Sequence, residues 1–83
     1  MENQTLTFGQ KLVGLDFNPS KNPKVDRLKE LFAEATDIVH KVIIENPVTV
    51  DSAQYLLFQH TIGEILNAQM NSVKFVVTDF DKF

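Results

Sequence analysis

Residues 22–47 read NPKVDRLKELFAEATDIVHKVIIENP, and this stretch decides the fold. Asparagine is a strong helix N-cap, and proline fits the first helical position because its missing N–H would have no partner there. From that start Val25, Leu28, Phe32, Ala35, Val39 and Val42 recur at alternating steps of three and four, the spacing of one helix face. Leu31 and Ile38 widen the seam, and Ile43 and Ile44 extend it. Asn46-Pro47 disfavours continuation, since the residue before proline is pushed out of the helical region. The spacing predicts a first helix over about 23–45.

Downstream, Asp51 with Gln54 three positions later resembles a capping box. Tyr55, Phe58, Ile62, Ile65, Met70 and Val73 then set a second helical seam, reaching about residue 78. The stretch Val73-Lys74-Phe75-Val76-Val77 is rich in β-formers, but its apolar residues continue the upstream period, so helix is expected. Residues 79–83 form a C-terminal tail. Upstream, residues 1–22 form an arm carrying Gly9, Gly14 and Pro19, with short extended pieces expected at Thr5 to Phe8 or Lys11 to Val13. The expectation is an all-α chain: an antiparallel two-helix hairpin over 23–78 (helices about 23–45 and 51–78) with an N-terminal arm.

A hairpin covers only one stripe of each helix, and this one carries more apolar surface than that. Leu57, Ala68 and Phe75 lie roughly opposite the main seam of the second helix. The chain has 83 residues, and a domain of that size buries only roughly 60 % of its unfolded surface. Small domains supplement a thin core with disulfides, a metal or oligomerisation. There is no cysteine and there are only two histidines, so assembly into a homo-oligomer is the expected supplement.

Several function classes are disfavoured. A net charge of −3 opposes binding to a DNA or RNA polymer, although Lys21, Lys24, Arg27 and Lys29 form a local basic cluster. No apolar run approaches the ~18 residues a membrane span needs, and the polar start lacks a signal-peptide core, so no membrane partner and a cytoplasmic location are expected. No cysteine nucleophile, HExxH, phosphate-binding glycine loop or GxSxG occurs, so no enzyme, cofactor or metal site is expected. Glu30 and Glu34 beside Arg27 read as a solvated face, and Asp37 with Lys41 as an ordinary i,i+4 pair.

One constellation suggests binding. Lys29, Thr36 and His40 stand at i, i+7 and i+11, flanking the first seam on the side away from Leu31 and Ile38. A lysine there can simply snorkel to water, and His40 can be a boundary residue. The alternative is an anion or base pocket, to which the helix start, Lys21 and Lys24 add positive charge and Phe17 a stacking surface.

Gly14-Leu15-Asp16-Phe17-Asn18-Pro19-Ser20, then Val25-Asp26 and Lys29-Glu30-Leu31-Phe32-Ala33-Glu34, resembles the start of small phage proteins with an antidefence hairpin domain. Ile62-Gly63-Glu64, Ala68-Gln69-Met70 and Val73-Lys74 resemble that domain's second helix. The family includes phage anti-CBASS sponges, which sequester cyclic oligonucleotides in the bacterial host cytoplasm, and its hairpin is shared with anti-Thoeris sponges for a cyclic ADP-ribose signal. The resemblance implies a homohexamer, a trimer of dimers, with nucleotide pockets between protomers. It implies that an arm aromatic stacks on a base and that Lys29 meets phosphate. Where cyclic-dinucleotide sponges commonly show Gly-Tyr, this chain has Gly14-Leu15, so Phe17 or Phe8 would take the aromatic's place. Gln59, Asn67 and Gln69 are the polar residues of the second helix that could bind a cyclic trinucleotide. The expected ligand-binding set is Phe17, Lys21, Lys24, Lys29, Thr36 and His40. The rival expectation is an oligomeric helical adaptor that binds a partner protein through its surplus apolar faces.

Overall fold

The computed structural model describes residues 5–79 and 81. Among them are three helices and no strand: α1 (Phe8–Val13), α2 (Pro23–Glu45) and α3 (Ala53–Val76). The chain is therefore all-α. No helix among the described residues is long and apolar enough to cross a membrane.

The punctuation of α2 acts as its sequence suggests. The Asn22 side chain accepts from the Lys24 N–H at 2.8 Å, Pro23 occupies the first helical turn, and the Asn46 N–H donates to the Val42 carbonyl at the far end. The start of α3 lies one residue from the expected place. Ser52, not Asp51, is the N-cap: its hydroxyl oxygen accepts from the Tyr55 N–H at 3.1 Å and donates to the Thr49 carbonyl at 2.7 Å. One hydroxyl thus serves both the helix and the preceding turn, which a carboxylate, having no proton to donate, could not do. Residues 73–76 are helical, and α3 stops at Val76 rather than near residue 78.

The arm departs from expectation more sharply. Instead of extended pieces it contains α1, six residues long and closed at both ends. Thr7 and Gln10 form a reciprocal capping box, with bonds of 2.9 and 3.1 Å. Gly14 ends the helix in the left-handed region, φ 65°, which a side chain would disfavour.

A close approach of backbones seats α1 on α2. A Cβ built on Gly9 would lie 2.2 Å from the Ala33 carbonyl oxygen, so only glycine lets the helices come this near. The Gly9 N–H donates to the Asp37 carboxylate at 2.6 Å, and Phe8 stacks on His40 with ring centroids 4.1 Å apart. Asp37 is thereby drawn to α1 instead of pairing with Lys41, whose ammonium stands 3.9 Å from Glu45. The arm also changes which row of α2 is inside. Val25, Lys29, Ala33 and Thr36 are buried, while Ala35 of the expected apolar seam is exposed.

Helices α2 and α3 also pack together. Val25 and Lys29 of early α2 share a cleft with Gln69 and Val73 of late α3, and Val42 and Ile43 share another with Gln54 and Phe58 of early α3. The described chain spans 48 × 38 × 15 Å. The described chain has almost no apolar interior. Its buried apolar residues are Val13, Val25 and Ala33, while Ile38, Val42, Leu56, Leu57 and Met70 are all more than half exposed.

Candidate ligand cleft

The arm, the first turns of α2 and the second half of α3 enclose a cleft of about 450 Å³. That is within the range of small-molecule sites, roughly 300–1,000 Å³. The arm supplies Leu12, Val13, Phe17 and Asn18, α2 supplies Val25 and Lys29, and Leu66, Gln69, Met70 and Val73 form the α3 wall.

Hydrogen bonds fix the arm's return into α2. Asn18 donates through Nδ2 to the Asn22 carbonyl and to Asp26, at 3.0 and 2.9 Å, and its Oδ1 accepts from the Ser20 hydroxyl and the Lys21 N–H. Lys21 takes a positive φ of 57° as part of this turn. Phe17 is held by its backbone, its N–H donating to the Gly14 carbonyl at 2.9 Å. The residue stays 69 % exposed at the cleft.

Lys29 lies beneath this loop, 5 % exposed. Its ammonium donates to the Gly14 carbonyl at 3.0 Å and to the Phe17 carbonyl, and it stands 5.5 Å from the centroid of the Phe17 ring. An ammonium has three donors, so one remains beyond these two bonds. The ion pairs among the described residues are Arg27–Glu30, Lys41–Glu45 and His60–Glu64, none of which includes Lys29. Carbonyl dipoles satisfy hydrogen bonds without cancelling a unit charge. The cleft therefore contains a buried cation with no anion paired to it among the described residues.

The structure divides the sequence candidates. Phe17 and Lys29 come together in the cleft. Lys21 and Lys24 are exposed near the start of α2 but do not line it. Thr36 is fully buried, its hydroxyl donates to the Phe32 carbonyl at 2.8 Å, and it does not line the cleft. His40 also lies outside the cleft lining and stacks on Phe8, with Phe58 beyond at 6.3 Å. Thr36 and His40 belong to the seat of the arm, because α1 lies along their face of α2. The same stack uses Phe8, leaving Phe17 as the cleft's aromatic.

Gln69 differs from the other polar residues considered on α3. Gln59 and Asn67 are exposed, whereas Gln69 is 4 % exposed and lines the cleft. Its place among Leu66, Met70 and Val73 was the available sequence signal: a glutamine inside an apolar run. No family model, curated protein or solved structure matches the chain.

Proposed function

We propose that this protein is a non-catalytic phage antidefence sponge that sequesters a cyclic oligonucleotide second messenger and so blocks CBASS-type immune signalling in the host cytoplasm. The observation that carries the reading is the uncompensated buried ammonium of Lys29 beside the exposed ring of Phe17, at the mouth of a largely apolar cleft. A cyclic oligonucleotide matches both features, having phosphate for the cation and base faces for the ring. The sequence words shared with antidefence hairpin proteins point the same way. A cyclic ADP-ribose signal, with the same combination of phosphate and base, is the alternative ligand.

In this reading α2 and α3 are the antiparallel hairpin, and several copies assemble into a hexamer. The exposed apolar surface supports assembly. Each large apolar side chain moved from water into an interface contributes roughly 1.5–3 kcal/mol, and this chain exposes many. Lys29 supports the site in two ways, as counter-charge for the ligand and as the tether of the loop that presents Phe17.

Calorimetry with cyclic di- and trinucleotides and cyclic ADP-ribose isomers tests the proposal, followed by denaturation and recovery of the ligand. A sponge binds at least one of them and returns it intact. Absence of heat with all of them, or recovery of a cleaved product, overturns the reading. Phe17→Ala is the informative variant, because it removes the ring and leaves the backbone carbonyl that Lys29 holds.

The second reading, a helical adaptor, draws on the cavity between late α2 and early α3. Its walls include Ile38, Val42 and Leu57, all strongly exposed. An adaptor would lose its partner protein on Leu57→Ser and be indifferent to Phe17→Ala.

A further inference from the structure

Gln69 is a buried polar residue that the hydrogen bonds among the described residues do not use. The residue is 96 % buried by its 4 % exposure, yet its amide makes no hydrogen bond among the described residues. Burying an amide without partners is costly, and native interiors rarely tolerate it. No polar side-chain atom that is fully sealed from solvent lacks a partner, so the Gln69 amide retains access to open space. The space the residue lines is the cleft. Among the described residues it is the one polar member of the α3 wall, beside Leu66, Met70 and Val73.

We propose that Gln69 reads the edge of an adenine base held in this cleft and makes the site prefer adenine to guanine. This inference rests on the sponge reading and specifies its ligand. A primary amide offers one acceptor beside donors, and adenine offers the complementary pair, the N6 amino group and N7. Guanine presents two acceptors, O6 and N7, along that edge, so one of them would face the amide oxygen. Turned to its other edge, guanine could use N1–H and O6, but its adjacent N2 amino group would then need a further partner that one amide does not supply. A bidentate contact of this kind discriminates between bases by about tenfold or more.

The test is calorimetry on cyclic di- and trinucleotides that differ only in base, carrying adenine, guanine or unsubstituted purine. Unsubstituted purine keeps the ring shape and N7 but lacks the N6 amino donor. Wild-type protein should bind the adenine ligand at least about tenfold more tightly than either of the others. Gln69→Leu should lose that preference through weaker adenine binding, with guanine binding little changed. Equal binding of the three bases by the wild type, or an undiminished adenine preference in Gln69→Leu, overturns the role of Gln69 and leaves the sponge reading standing. Failure of the wild type to bind any cyclic nucleotide in the series overturns both. Should Gln69→Leu lose its helical circular dichroism, Gln69→Met, closer to glutamine in shape, must show the same loss of adenine preference.

Discussion

The two ends of α2 are covered in different ways. Along one face, from Val25 as far as His40, the arm lies close, held by the Gly9–Ala33 backbone approach, the Gly9–Asp37 bond and the Lys29 tether. Along its last turns Ile38, Val42 and Ile44 face solvent, at 68, 55 and 60 % exposure. The arm-covered part buries polar groups, Lys29 and Thr36, and satisfies them locally; the other exposes apolar groups that the described residues leave uncovered. Hydrogen bonds to carbonyls make a polar row fit for burial, whereas an apolar row needs only a surface to meet. The arm end is therefore the part that a single chain can complete. The far end is where the account places a second copy.

The largest effect should come from breaking the arm end. Gly9→Val places side-chain carbon against the Ala33 carbonyl, and the arm must lift. The expected loss is about 2–4 kcal/mol in urea denaturation, with amide exchange in α1 accelerating more than in α3. Next, Leu57→Ser at the far end should weaken self-association at least about tenfold in sedimentation while leaving helical content unchanged. Thr7→Ala removes half of the capping box and should cost roughly 1 kcal/mol, again concentrated in α1. Arg27→Ala is the control. Its ion pair with Glu30 is exposed on both sides, and its loss should change stability by less than about 0.5 kcal/mol.

The same contrast explains what could be read from the sequence. Helix α2 was legible because Asn22-Pro23 and Asn46-Pro47 act within a few residues of themselves. Helix α1 was not, because six residues make less than two turns and show no period, and because Gly9 reads as a breaker. Its glycine is needed for a contact 24 positions away, at Ala33, which no local pattern encodes. The inner row of α2 was misjudged for the same reason: periodicity finds apolar seams, and this row is buried by a docked backbone. At the candidate site, Phe17 and Lys29 stood out by residue type. The carbonyls that hold Lys29 did not, since every residue has one. Thr36 and His40 shared the helix face of Lys29 but lie under the arm, beyond the end of the cleft.

The central claim is that a multimer of this chain holds intact cyclic nucleotide. Native mass spectrometry of the wild-type protein, with and without cyclic di- and trinucleotides, tests it in one measurement. The account predicts a multimer whose mass rises by whole ligand masses, with the unaltered ligand released on activation. A single-chain mass that no cyclic nucleotide shifts would contradict it.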